Sequence, residues 1–185
     1  MPKLRGLQRS FWAGWFSAVA LAGALVAHPA QARAEAVGLG VMAGGVFPVA
    51  DNKTLDAALK ASFGYGFFVD IPLLASFHLT PSALVYRVND TLTAADMGLS
   101  FKFIVTTPFI RPYIGLNAGT TVFGAGTDFS VGGIGGAYFN VIANLDAFVQ
   151  GGYSVIVRDA ESPTNRGGGN VKVGSAAAGI LIRFQ

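Results

Sequence analysis

The stretch VKVGSAAAGILIRFQ, Val171 to Gln185, decides the fold, because its side chains alternate between two unlike sets. One set is apolar and ends on an aromatic residue, and it consists of Ala176, Ala178, Ile180, Ile182 and Phe184. The other set is small or charged except for Leu181, and it consists of Ser175, Ala177, Gly179, Leu181 and Arg183. Since a β-strand points successive side chains to opposite faces, this stretch predicts a strand with one apolar face and one face of mostly small residues and a charge.

Strand-like segments recur along the whole chain. Together with the last one they number eight, at 36–49, 59–71, 76–88, 96–106, 110–122, 130–142, 145–157 and 171–184. Polar connections rich in Asp, Asn, Thr and Gly alternate with short ones; the polar ones are 50–58, 89–95, 123–129 and 158–170, and the short ones are 72–75, 107–109 and 143–144. This alternation is typical of outer-membrane barrels with long external loops and tight periplasmic turns, and an even number of strands leaves both termini periplasmic.

Most of these segments have two distinct faces. In the second, fourth and seventh, large apolar side chains alternate with small or charged ones, as in Phe63, Tyr65 and Phe67 against Gly64, Gly66 and Asp70. The third segment changes phase between Leu79 and Leu84 around Pro81, which predicts a bulge or an edge-like irregularity. The sixth is too rich in glycine for its faces to be assigned.

Charge composition separates the possible barrels. Lysine, arginine, aspartate and glutamate make up 12% of the chain, about half the roughly 25% of soluble domains. A lipocalin-type barrel or a soluble sandwich needs a charged exterior, which these strands do not supply. A closed barrel satisfies every backbone group within lipid, so the sequence predicts an all-β, eight-stranded, antiparallel, up-and-down transmembrane barrel with its small residues in the lumen. There is no cysteine for a disulfide or a lipid anchor.

The N-terminus predicts export. Lys3, Arg5 and Arg9 precede an uncharged apolar run at 11–27, and small residues follow, so residues 1–32 are interpreted as a signal peptide cut after Ala32, with Ala34 and Ala36 as alternative sites. A retained membrane anchor is the alternative interpretation. Removal of the signal leaves ten basic and ten acidic residues in the barrel domain, 33–185. The basic character therefore belongs to the signal and does not indicate nucleic-acid binding.

Three runs carry a family resemblance: MGLSFKFIV at Met97–Val105, RPYIGLNAG at Arg111–Gly119 and AAGILIRF at Ala177–Phe184. With their spacing they resemble the bacterial outer-membrane β-barrel domain family, whose small members share the architecture of the OmpA transmembrane domain and OmpX. The resemblance implies a monomer inserted into the outer membrane of a Gram-negative bacterium from the periplasm. It implies periplasmic chaperones, the barrel-assembly machinery, membrane lipids and lipopolysaccharide as partners, and Ile180, Ile182 and Phe184 as the C-terminal assembly signal.

Five charged residues are candidates for the lumen. They are Asp70, Lys102, Arg111, Asp146 and Arg183, and all except Lys102 fall near the periplasmic ends of their strands. Unpaired charges are costly to bury, so these side chains are expected to pair and to plug the lumen. The alternative is a polar pathway that makes the protein a small porin-like channel.

An enzymatic role has less support. A lipid A-modifying barrel enzyme would need a histidine near the outer leaflet, but the one histidine after the signal, His78, is expected at the periplasmic end as an interfacial side chain. No cysteine and histidine set predicts a metal, and no motif predicts a cofactor. The sequence therefore predicts a non-enzymatic barrel with a structural or surface-interaction role.

Overall fold

The computed structural model describes residues 36–49, 61–87, 93–123, 126–157 and 170–184. They form eight antiparallel strands: β1 (Gly38–Pro48), β2 (Ser62–Leu74), β3 (Phe77–Arg87), β4 (Thr93–Ile104), β5 (Ile110–Phe123), β6 (Gly126–Ile142), β7 (Leu145–Val157) and β8 (Val171–Arg183). Each strand pairs with its neighbour in the chain, and β8 pairs with β1 to close the barrel. The predicted all-β, eight-stranded, closed antiparallel barrel is confirmed.

The two ends of the barrel differ in their connections. At the turn end, short connections at 75–76, 105–109 and 143–144 join the strands, and Gly38 pairs with Arg183 there. At the opposite, loop end, β1 and β2 are separated by thirteen residues, as are β7 and β8. Residues 50–60, 88–92 and 158–169, which contain most of the predicted loops, lie outside the described residues, as does the predicted signal peptide. Within the described residues, no helix has the length and hydropathy to cross a bilayer.

One predicted loop is wrong. The predicted polar connection at 123–129 is largely strand, because β5 and β6 pair as far as Phe123 and Gly126, and only residues 124–125 separate them. The predicted connection at 89–95 is likewise shortened by β4, which begins at Thr93. Polar residues such as Asp128 are buried here on the inward side of a strand. The segment therefore has the polar composition of a loop although it is a strand.

Alternation of exposure along the strands confirms the predicted faces. In β4, Phe101 and Phe103 are 46% and 41% exposed, whereas the alternate residues Lys102 and Ile104 are buried. In β8, Ile180 and Ile182 are exposed on either side of the fully buried Leu181. The apolar stripe faces out and the small or charged stripe faces in.

The third and sixth strands follow the same rule. The predicted bulge at Pro81 is wrong, since β3 pairs with β4 in one unbroken register from Phe77 to Arg87. Leu84 faces inward and packs against an apolar part of the lumen. Leu79 faces outward, so β3 has apolar residues on both faces, and the sequence pattern looks like a change of phase. In β6, Ser130 and Tyr138 are buried while Phe129 and Val131 are exposed, which assigns its inward face.

Two apolar clusters divide the lumen. The turn-end cluster comprises Phe68, Ile104, Tyr113, Tyr138, Phe148 and Leu181, and the loop-end cluster comprises Tyr86, Ala94, Ile156 and Val171. Aromatic rings contact each other within the turn-end cluster, where the Phe68 and Phe148 centroids are 5.2 Å apart in an edge-to-face arrangement.

Candidate functional site: the luminal charge network

Asp146 in β7 is the centre of the first group of charges. Arg183 Nε in β8 donates to Asp146 Oδ2 at 2.8 Å, and Arg111 Nη2 in β5 donates to the same oxygen. Asp146 is almost fully buried, and the side chains of Arg183 and Arg111 are 10% and 15% exposed. Such charge-assisted hydrogen bonds compensate the carboxylate for the loss of water.

Asp70 in β2 is the centre of the second group. Arg183 Nη1 lies 3.3 Å from Asp70 Oδ2, and His78 Nδ1 lies 3.0 Å from that oxygen. The other carboxylate oxygen, Oδ1, accepts a hydrogen bond from the Thr80 hydroxyl at 3.1 Å. Arg183 therefore bridges both buried carboxylates and joins β2, β7 and β8.

Lys102 in β4 lies among aromatic rings. Its ammonium donates to the Tyr138 hydroxyl at 2.9 Å and lies 5.3, 4.9 and 5.5 Å from the ring centroids of Phe68, Tyr113 and Tyr138. We call these three rings the aromatic cage. Their π faces attract the cation at distances within about 6 Å, so Lys102 is held by rings and a hydroxyl while both carboxylates are occupied by arginines.

Strand register explains how these residues meet. His78 pairs directly with Lys102 across β3 and β4, and Arg111 pairs with Tyr138 across β5 and β6. Because paired residues point to the same side of the sheet, each pair delivers both side chains into the lumen. The guanidinium carbons of Arg111 and Arg183 each lie 5.8 Å from the Tyr138 ring centroid, so Tyr138 is surrounded by three cations.

All five charged residues singled out from the sequence lie in this turn-end layer. Two important residues were missed, His78 and Tyr138, and both are fully buried. The expectation that His78 is an interfacial side chain is wrong, because it shares the inward face of β3 with Thr80 and contacts Asp70. Tyr138 was missed because the many glycines of β6 prevented assignment of its two faces. The signal that identifies Tyr138 as inward-facing is its even-numbered position, which it shares with the buried Asp128 and Ser130.

The layer fills the turn end of the lumen with buried side chains. Its carboxylates are bound by arginines, its ammonium is bound by rings, and the surrounding apolar side chains leave Tyr138 and Leu181 with no exposed surface. The described ranges hold no group of three His, Cys, Asp or Glu residues placed to bind a metal ion. The arrangement can support the barrel and block passage.

The predicted assembly signal lies on the opposite face. Ile180, Ile182 and Phe184 are 44%, 46% and 57% exposed on the outside of β8 and just beyond it. Phe184 continues the strand pairing, since its backbone N–H donates to the Val37 carbonyl at 2.8 Å.

Comparison with known proteins identifies the fold. No protein-family model and no curated protein matches the chain. Among solved structures, the neisserial surface protein A, NspA, is similar with a TM-score of 0.60 and 15% identity, over 80% of this chain and 97% of that one. Ail, the attachment invasion locus protein of Yersinia pestis, matches with a TM-score of 0.47 and 14% identity, over 81% and 97% of the two chains. The closed eight-stranded sheet and its similarity to NspA show that the chain has the fold of the small eight-stranded outer-membrane β-barrels.

Proposed function

We propose that this protein is an integral outer-membrane barrel with a structural or surface-interaction role and a lumen plugged by side chains. The observation that carries the proposal is the apolar exterior of the barrel. Twenty-eight large hydrophobic side chains are exposed among the described residues, including Phe63 at 70% and Leu116 at 71%. Ordinary soluble monomers rarely expose contiguous apolar patches beyond a few hundred Å², whereas hydrocarbon accommodates such a surface.

The proposed location follows from this surface and from the N-terminus. Residues 1–32 supply export, and the outer membrane of a Gram-negative bacterium accepts barrels in place of spanning helices. Both ends of the barrel chain meet at the turn end, where Gly38 pairs with Arg183. We assign that end to the periplasm, so the loop end faces the exterior.

The proposed partners follow from the same placement. Outer-membrane lipids and lipopolysaccharide surround the monomer, while periplasmic chaperones and the barrel-assembly machinery deliver it, the latter through Ile180, Ile182 and Phe184. We expect external partners to bind at the loop end, where thirteen residues separate β1 from β2 and thirteen separate β7 from β8. No nucleic acid or cofactor is part of the proposal.

The luminal layer weighs against the other candidates. A passive channel needs a continuous polar path, but Lys102, Tyr138 and Leu181, which project into the lumen at the turn end, are all buried. A lipid A-modifying enzyme needs a histidine that reaches lipid, but His78 is fully buried inside the barrel beside Asp70.

Single-channel recording of the purified full barrel in a planar bilayer tests the proposal. We expect no steady conductance from the parent protein, because the turn-end layer blocks the path. A variant with the plug weakened, Arg183→Ala, is the positive control for a lumen that has been opened. Steady conductance of the parent would instead establish the channel and refute the structural role.

A further inference from the structure

Large apolar side chains are exposed at the turn end of the barrel, in or beside its three short connections. We call them the turn-end rim: Leu74, Phe109, Val141 and Ile142, which are 63%, 81%, 56% and 63% exposed. The short connections themselves, 75–76, 105–109 and 143–144, contain no charged residue. By contrast, the thirteen residues between β1 and β2 include four charged ones, and so do the thirteen between β7 and β8. Charged residues normally cover the parts of a protein that face water, so the turn end has the composition of a surface that does not.

A register shift places Leu74 on the outside of the barrel. Even-numbered residues of β2 such as Asp70 face the lumen, so unbroken alternation would point Leu74 inward. The pairing of β2 with β3 shifts by one residue between Pro72 and Leu74, and Leu74 pairs with Phe77. Phe77 faces outward, since its ring stacks on that of the exposed Phe101 with centroids 5.4 Å apart. Because paired residues point to the same side of the sheet, Leu74 extends the outward apolar stripe to the end of the strand.

The same arrangement recurs between β6 and β7. Their register shifts by one residue between Asn140 and Ile142, and Ile142 pairs with Leu145. Leu145 faces outward, because it alternates with the buried Asp146, and Ile142 therefore faces outward as well. An extra residue in one strand changes the face to which the following side chains point. Both shifts lie beside a two-residue turn, and each moves an apolar side chain from the lumen to the outside.

The aromatic residues of the outer surface differ between the two ends. The outward tyrosines, Tyr65 and Tyr153, lie toward the loop end, where β2 begins and β7 ends. Tyrosine and tryptophan are enriched at the level of the lipid head groups because they carry a polar group, which phenylalanine lacks. Within the described residues, the outward aromatic side chains near the turn end are all phenylalanines: Phe77, Phe103, Phe109, Phe139 and Phe184. This choice favours hydrocarbon at the turn end.

We propose that the turn-end rim binds the acyl chains of the inner-leaflet phospholipids, so that the barrel sits with its short turns immersed in lipid. The rim is continuous with the outward apolar face, through Leu74 and Phe77, and it offers no charge to a protein partner. Uncharged polar residues of the turns, such as the exposed Thr106 and Asn144, then lie at the head groups. The inference rests on the proposed function, since it requires an integral barrel whose turn end is periplasmic, and it adds the depth of that barrel in the membrane.

Tryptophan fluorescence in vesicles of phosphatidylcholine with brominated acyl chains tests the proposal. The two tryptophans of the chain, Trp12 and Trp15, lie in the predicted signal peptide, so Trp12→Phe with Trp15→Phe gives a background in which each new tryptophan is the only one. Phe109→Trp should emit at short wavelength and be quenched most by bromine near the head group. Thr106→Trp is the matched control in the same connection, and it should be quenched less by the brominated lipid and more by acrylamide in the water. Ile142→Trp provides a second reporter on another turn and should behave like Phe109→Trp.

Phe101→Trp, in the outward stripe of β4, separates the failure of this inference from the failure of the proposed function. Its quenching by bromine deep in the acyl chains is expected of any integral barrel, and its absence would refute the membrane location together with the inference. If Phe101→Trp is quenched by lipid but Phe109→Trp and Ile142→Trp are quenched only by acrylamide, the turns lie in water and the inference alone is overturned. Protection of the two rim reporters from both quenchers would also overturn it, because a second copy of the barrel would then cover the rim.

Discussion

Arg183 connects the two buried carboxylates of the lumen, so the stability of the turn-end layer depends on it more than on any exposed charge. Its guanidinium donates to Asp146 and lies 3.3 Å from Asp70. Removal of one partner from a buried pair leaves the other without compensation, and this costs about 3–5 kcal/mol. Arg183→Ala should lower the free energy of unfolding by this amount in urea titrations in lipid vesicles. Arg87→Ala, an exposed arginine at the loop end, is the control and should change it by about 0.5 kcal/mol or less.

A double-mutant cycle shows whether Arg183 and Asp146 act together. Asp146→Ala in the Arg183→Ala background removes the carboxylate that the first change left with Arg111 as its remaining guanidinium partner. The double variant should therefore be more stable than the sum of the single effects predicts, by about 0.5–3 kcal/mol. Recovery is incomplete because Arg111 then loses its acceptor. Strict additivity would show that the two residues are not coupled.

Lys102 behaves differently, because aromatic rings and one hydroxyl hold it. Tyr138→Phe removes the acceptor at 2.9 Å from its ammonium and should destabilise the barrel by about 1–3 kcal/mol. Adding Lys102→Met should restore most of that loss, since an apolar side chain of similar length fits the cage without a charge. The same urea titration measures both variants. Further destabilisation by Lys102→Met would mean that the cation–π contacts outweigh the cost of burying the charge.

At the scale of the strand, β4 offers the sharpest test of which face meets lipid. Phe101 is 46% exposed in the outward stripe of β4, between Leu99 and Phe103, and arginine in the apolar band of a barrel costs about 2–4 kcal/mol near the midplane. Phe101→Arg should be destabilising by that amount in vesicle folding titrations. Thr93→Arg, at the exposed loop end of the same strand, should cost only about 0–1 kcal/mol because it lies near the interface. Equal costs at the two positions would contradict the proposed depth of the strand.

Period-two patterns predicted the strands because the outward face is uniformly apolar. The inward face obeys no such rule, since it must fill a closed space with whatever fits: Phe68 and Leu181 at the turn end, glycine and serine in the middle, Tyr86 at the loop end. In β3, apolar residues on both faces made the pattern change phase around Pro81, so the inward position of His78 could not be predicted. Which charges pair could not be predicted either, because the pairing depends on register between strands that are distant in sequence, as for the contact between Arg183 and Asp70.

Taken together, the barrel combines an apolar exterior with two kinds of contact inside the lumen. Ion pairs join β2, β5, β7 and β8, and the aromatic cage holds β4 against β6. A closed sheet without edges resists unfolding in detergent, while its exterior requires an amphiphile. This exterior fits a barrel that is integral to the outer membrane.

Gel mobility of the outer-membrane fraction tests whether the barrel is integral to that membrane. The protein expressed with residues 1–32 should co-fractionate with outer membranes, resist extraction by urea, and migrate faster in denaturing gels when unheated than when boiled, because the closed barrel survives the detergent until heated. Phe101→Arg, with its charge in the apolar band, should reduce the fast-migrating fraction, and Thr93→Arg should not. Recovery of a stable, detergent-free monomer from the periplasm would contradict the account and indicate a soluble barrel.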